Sequence, residues 1–368
     1  MWWRALEDRP KVLDLFAGCG GLSAGFEKAG FDVFASNDIW RVALETFKKN
    51  HPGTKAILGD IMEKSVQNKI IDIVNHKVDI IIGGPPCQAY SLAGSRDPED
   101  PRGKLFENYV KIVKKVQPSV FIVENVKGIL SMKHFKENIP IEKKKEIIEL
   151  IDMKKSKKQK VSIENLNNQI EEHLTPVPEL IKSTFEGLGY KVEWRLLNSA
   201  DYGVPQERQR VFFLGTKYKN IVFPHETHSG KSSSLLKRYV TLREAIGGLP
   251  FPGIGNGDEV YEGGFSPIYM SRNRRRSWDE VSYTIQAGAR HIPLHPGCPP
   301  MKKIDTDNWV FDQGAFRRLS VKECARIQTF PDNYIFLGNT VDKYKQIGNA
   351  VPPLLARKVA ECVLKMLN

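Results

Sequence analysis

Through its first 126 residues the chain alternates short β-rich runs with amphipathic segments, and few folds accept that order. Residues 11–16, 32–36, 78–82 and 119–124 are rich in β-branched or aromatic side chains and bounded by Gly, Pro, Asn or Asp. Between them, 22–29, 41–50 and 105–116 carry apolar residues at helical spacing. Strands that run as buried apolar stretches, each followed by a helix, predict an α/β protein with a parallel sheet. The pattern returns later, with a helix at 180–188 and strands at 190–197 and 210–216.

Two stretches interrupt it. From 132 to 173 lysines cluster at 143–145 and 154–158, interleaved with glutamates, which predicts a solvated helical or mobile insertion rather than a nucleic-acid arm. From 217 to 316 the chain is rich in Gly, Pro, Ser and Arg, predicting a second, smaller domain of short strands without a long helix. Helical spacing resumes at 320–328 and 353–366. The expected division is 1–216 (with the insertion at about 133–172), 217–316, and a segment 317–368 that returns to the first domain.

With 368 residues, 41% of them hydrophobic, the chain can bury one large core or two modest ones. No apolar run approaches the roughly 18 residues of a membrane span. The N-terminus, Met1-Trp2-Trp3-Arg4-Ala5-Leu6-Glu7-Asp8, lacks the apolar core of a secretory signal, so a cytoplasmic protein is expected. Five scattered cysteines without a C-x-x-C pair fit a reduced compartment and no zinc site. A net charge of +12 fits a polyanionic partner or a generally basic surface equally well.

The chemistry collects at strand ends. Phe16-Ala17-Gly18-Cys19-Gly20-Gly21-Leu22 follows the first strand and opens the first helix. Its glycines permit close approach of a ligand to the helix N-terminus, which suits a dehydrogenase, another nucleotide binder or a plain tight turn. Asn37-Asp38 ends the second strand, and Gly59-Asp60-Ile61 follows a third. Two acids beside the glycine turn disfavour a pyrophosphate and favour a nucleoside carrying a sulfonium amino acid. Gly83-Gly84-Pro85-Pro86-Cys87-Gln88 places a proline-stiffened cysteine beyond a parallel strand, where such sheets carry chemistry. Glu124-Asn125-Val126 arrives at the same edge, its glutamate a candidate acid or a structural partner for an arginine.

Together with Gln206-Glu207-Arg208-Gln209-Arg210, the run from Arg318 to Pro331 and Gln346-Ile347-Gly348-Asn349-Ala350-Val351-Pro352, these segments resemble, in order, the motif set of the cytosine-C5 DNA methyltransferases. The resemblance spans residues 11–367. It implies a Rossmann-like S-adenosylmethionine-dependent domain with a mostly parallel sheet, plus a smaller, irregular β-rich target-recognition domain at 217–316. By that resemblance Cys87 adds to C6 of the base, Glu124 holds N4 and N3, and Arg210, more loosely Arg208, binds the O2 side. The target cytosine is flipped out of duplex DNA, and a loop at 91–104 closes over it.

The resemblance assigns S-adenosyl-L-methionine, and its product S-adenosyl-L-homocysteine, to Phe16, Ala17, Gly18, Gly20, Gly21, Leu22, Asp38, Ile39, Asp60, Ile61, Pro85, Leu105, Asn349 and Ala350, without a metal. DNA contacts are expected at Gln88, Ser91, Arg96, Arg102, Arg272, Arg274, Thr284 and Arg290. Asp38 stands where many members have glutamate, Ile39 where an aromatic often stacks on adenine, and the lysine-rich insertion exceeds the compact pattern.

The arginine-rich stretch 270–291 resembles that of bacterial modification enzymes acting on GGCC, and arginine forks suit guanine. Double-stranded DNA is the expected partner of a monomer, with a cognate restriction endonuclease acting independently and no membrane association. A tRNA-directed cytosine-C5 methyltransferase, a catalytically inactive DNA-binding relative and a nicotinamide dehydrogenase are the competing readings.

Overall fold

The computed structural model describes residues 9–86, 104–136, 139–156, 170–217, 220–231, 235–249 and 259–367. Cys87, Gln88, Ser91, Arg96 and Arg102, and with them the expected loop up to residue 103, lie outside the described residues.

The alternation read in the sequence becomes β1 (Lys11–Leu15), α1 (Gly21–Lys28), β2 (Asp32–Asp38), α2 (Arg41–Asn50), β3 (Lys55–Leu58), α3 (Lys64–Val74), β4 (Ile80–Gly83), α4 (Lys104–Val116) and β5 (Val120–Val126). After an excursion through β6 (Lys133–Phe135), α5 (Ile141–Ser156), β7 (Leu174–Pro176) and α6 (Val177–Glu186), the chain returns as β8 (Lys191–Asn198) and β9 (Gln209–Thr216). Seven strands form one sheet in the order β3-β2-β1-β4-β5-β9-β8. The first five run parallel, while β9 and β8 join antiparallel at one edge. The family fold read from the motifs is therefore observed.

Because strand side chains alternate between faces, each central strand feeds two cores. Phe121 and Val123 of β5 pack with Ile70 of α3, Ile112 of α4 and Phe185 of α6. Val120 and Ile122 point the other way, into a layer with Phe26 of α1 and Phe47 of α2. That second layer is completed from the far end of the chain, by α11 (Pro353–Leu367), through Leu355, Val359 and Val363. Gly25 on α1 admits this close crossing: a Cβ there would stand 2.6 Å from the Arg357 amide. Gly25→Ala thus forces α1 and α11 apart.

The lysine-rich stretch carries α5 and a small core. β6 and β7 pair antiparallel, and Phe135, Ile147, Ile170 and Leu174 form a small core of their own. Residues 157–169 of it lie outside the described residues.

Beyond residue 216 the elements are short: β10 (His228–Ser229), β11 (Lys237–Arg238), α7 (Leu242–Ile246), α8 (Pro267–Met270), β12 (Met301–Asp305) and β13 (Asn308–Phe311). α9 (Val321–Ile327) and α10 (Thr340–Asn349) follow, packing with Ile285, Ile292 and Ile246. Among the described residues no helix is long and apolar enough to cross a membrane.

Candidate active site

The parallel strands deliver their C-terminal ends to one edge. There β1 turns through Phe16, at φ 59°, into the glycine loop, and β2 ends in Asp38. The Asp38 carboxylate accepts from the Gly18 amide at 2.7 Å and from the Trp40 amide at 2.7 Å, tying the loop to β2. Burial raises its pKa, opposed by those amides and by the charge of Lys345. Gly84, Pro85 and Pro86 continue from β4, and Asn125 of β5 donates to the Pro85 carbonyl at 2.8 Å, fixing the proline segment against the neighbouring strand.

Glu124 and Arg210 sit on adjacent strands, β5 and β9, and form an ion pair at 2.9 Å, each about one-eighth exposed. Gly84 lies so close that a Cβ on it would stand 3.0 Å from Glu124 Oε2. Burial raises the Glu124 pKa, and the neighbouring Arg210 and Arg208 charges oppose that rise. A glutamate so placed can share or donate a proton to a ring nitrogen while the arginine offsets developing charge.

A cavity of about 660 Å³ opens between the glycine loop, Asp38, the proline segment and the C-terminal end of α10. Of the residues expected to hold a cofactor, Phe16, Ala17, Gly18, Gly21, Leu22, Asp38, Ile39, Pro85, Asn349 and Ala350 line it. Gly20, Asp60, Ile61 and Leu105 do not. Ile61 is buried in the first core, and Asp60 caps its own turn by accepting from the Met62 amide at 2.9 Å.

The structure adds residues that sequence reasoning missed. Asp14, fully buried on β1, lines the cavity with Oδ1 unpartnered, while its Oδ2 accepts from the Ser23 hydroxyl at 2.6 Å. Burial, helped by the charge of Asp38, pushes its pKa up to about 7. Trp40 and Lys345 also line the cavity, the ammonium 4.4 Å from the indole centroid. Tyr334 donates to the Cys19 carbonyl and meets His51 Nε2 at 3.0 Å, bracing the glycine loop from outside. Cys19 itself is an inert thiol, its pKa pushed up to about 12 by burial.

Other expected arginines have different work. Arg208 is 1% exposed and donates to the carbonyls of Ile285 (2.9 Å), Gly348 (2.8 Å) and Ala350 (2.9 Å). Instead of facing a base, it clamps the C-terminal segment to the sheet. Gln206 helps, donating to Gln328 at 2.8 Å and accepting from the Ile285 amide at 2.8 Å. Arg274, expected to read a base, is buried and donates to the carbonyls of Tyr269 (2.7 Å) and Ile268 (2.9 Å). Arg318 is likewise internal, bonded to the Gly263 and Gly264 carbonyls. Arg272 and Arg290 are exposed, and Thr284 donates to the Glu207 carbonyl at 2.6 Å. Among the described residues no cluster of His, Cys, Asp or Glu is arranged to hold a metal.

A parallel sheet with two antiparallel edge strands and an acid-lined cavity at its strand ends, its wall including a glutamate–arginine pair, define a nucleoside-cofactor enzyme of the Rossmann-like class. The sequence profile of the C-5 cytosine-specific DNA methylases matches residues 10–146 and 141–365. The chain is 41% identical to the type II methyltransferase M.MthTI of Methanothermobacter thermautotrophicus, over 97% of this chain and 98% of that protein. It is 38% identical to M.NgoPII of Neisseria gonorrhoeae, over 97% and 96%. The S. pombe Dnmt2 methyltransferase structure matches 98% of this chain and 100% of that one with a TM-score of 0.61 at 17% identity, a likeness of fold. The chain belongs to the C-5 cytosine-specific DNA methylase family, whose members depend on S-adenosylmethionine, and its activity is that of a DNA cytosine-C5 methyltransferase.

Proposed function

We propose that the chain methylates a flipped-out cytosine of a specific duplex sequence through a covalent Cys87 adduct, protecting that sequence from a separate restriction endonuclease. The Glu124–Arg210 pair carries this reading, because Glu124 stands on the strand next to the one that leads to Cys87, and Arg210 on the strand beyond it. C5 of cytosine is a weak nucleophile. Attack of the Cys87 thiolate on C6, with Glu124 hydrogen-bonded at N3 and N4 and Arg210 toward O2, moves electron density onto C5. Once C5 carries the methyl group, loss of its proton lets Cys87 leave by β-elimination and restores the aromatic ring.

S-adenosylmethionine supplies an electrophilic methyl group, and Phe16, Asp38, Asn349 and Ala350 are the residues that would hold it. The cavity suits a ligand with a sulfonium and an ammonium: the Asp38 carboxylate lines it and the Asp14 side chain lies buried in its wall. A Cβ on Gly18, which also lines it, would meet no protein atom within 4 Å.

Target choice falls to the 217–316 region acting as a recognition domain, with residues 1–216 and 317–368 as the catalytic body. Arg272, Arg290 and Thr284, with Gln88, Ser91, Arg96 and Arg102 from the preceding loop, contact the DNA, and the recognised sequence is of the GGCC type. The enzyme acts as a monomer in the cytoplasm.

The test is to challenge DNA from expressing cells with an endonuclease that cuts GGCC, while bisulfite sequencing maps methylcytosine. Protection with methylation inside GGCC is expected. Methylcytosine confined to other sequences, with every GGCC site cleavable, overturns the target assignment.

A further inference from the structure

Arg210 and Val126 line both the cofactor cavity and a second, adjoining hollow of about 600 Å³. Lys127, Asn198, Glu207, Gln209 and Thr284 complete its wall with Gly128. Arg210 therefore borders both hollows, and the second is open space beside the Glu124–Arg210 pair for the sugar and phosphate of a nucleotide whose base meets Glu124.

The charges of that hollow are already matched, with one exception. Arg210 is balanced by Glu124. Glu207 is held by Arg276 at 2.9 Å, and Arg276 also binds Glu280 at 2.9 Å and lies 4.2 Å from the Tyr283 ring centroid. Lys127 is exposed and has no acidic partner among the described residues. It follows Glu124 by three positions, immediately after β5 ends at Val126 and at the start of a 3-10 turn, so the strand that carries the acid leads directly into this ammonium.

We propose that Lys127 binds the DNA phosphate of the nucleotide whose base meets Glu124, an inference that rests on the base-flipping reading above. An ammonium there anchors the extruded nucleotide by its backbone, without reading sequence. It is a positioning residue: it acts on the reaction only through where the sugar-phosphate is held.

The experiment measures duplex binding by Lys127→Gln, Lys127→Arg and the distant exposed control Lys69→Gln between 50 and 200 mM salt, roughly the range over which such contacts weaken. Lys127→Gln is expected to weaken binding about tenfold at the low-salt end and to flatten the log–log salt slope by about 0.9, one phosphate's share. The Michaelis constant for DNA rises while kcat at saturating DNA stays within twofold, Lys127→Arg restores the slope, and Lys69→Gln changes nothing. An unchanged affinity and slope in Lys127→Gln, with the wild type methylating duplex normally, overturns the proposal. A wild type that forms no methylcytosine overturns the function reading instead.

Discussion

Arg208 Nη2 donates to the Gly348 carbonyl at 2.8 Å, across 140 positions of the chain. Two motifs far apart in sequence thus meet through one buried guanidinium, and the C-terminal segment that lines the cofactor cavity is fastened to the strand carrying Arg210.

Arg208 is accordingly expected to act on stability before chemistry. Arg208→Met leaves the Ile285, Gly348 and Ala350 carbonyls without their donors, at a cost of about 2–5 kcal/mol. Urea unfolding of the variant checks this; an unchanged midpoint with lost activity places Arg208 in the chemistry instead.

Asp14 makes stability depend on pH. Its folded pKa is raised from 3.8 to about 7, so between those values the folded chain holds a proton that the unfolded chain has lost. Stability contributed by that proton is complete below pH 4 and falls as pH rises toward 7. Asp14→Asn, which still accepts from Ser23, removes the penalty. Calorimetry should find the variant's advantage growing between pH 4 and 7 to at most ~4 kcal/mol and levelling above it.

The exposed and buried arginines separate by phenotype. Arg274→Ala should lower the melting temperature, since its donors hold the carbonyls at the end of α8. Arg272→Ala should leave melting unchanged and relax discrimination at one base pair by about 1–3 kcal/mol. Methylation rates on single-substitution duplexes distinguish the two; a stable Arg274→Ala with altered sequence preference reverses the assignment.

What was legible in the sequence was local. The strand–helix alternation from β1 to β5, the proline-stiffened approach to residue 87 and the carboxylates at strand ends are each written within a few residues. α10 is less legible, being polar apart from Val341, Tyr344 and Ile347, while the Val66, Ile70 and Val74 face of α3 lies between two segments with no start or stop signal beyond Asn75. Asp14 is not legible, because nothing in Val12-Leu13-Asp14-Leu15 says that one buried oxygen is left unpartnered. Arg208 differs for the opposite reason: the carbonyls that occupy it come from segments 77 to 142 residues away. The net charge of +12 over the whole chain therefore overstates the charge offered to DNA.

The glutamate carries the next prediction. Glu124→Gln retains a hydrogen-bonding group next to Arg210 but no longer supplies an acid, so kcat should fall by about 10²–10⁴-fold with cofactor binding intact. Isothermal titration with S-adenosylhomocysteine beside single-turnover methylation checks the separation; a variant that methylates at the wild-type rate removes Glu124 from the mechanism.

Covalent trapping tests the central claim most directly. Incubated with S-adenosylmethionine and a duplex carrying 5-fluorocytosine at the target, the wild type should gain the mass of the methylated DNA strand, because fluorine at C5 cannot leave as a proton and Cys87 stays attached. Cys87→Ala should bind the same duplex and gain no mass. A stable adduct in Cys87→Ala, or methylation of ordinary cytosine by that variant, would contradict the account.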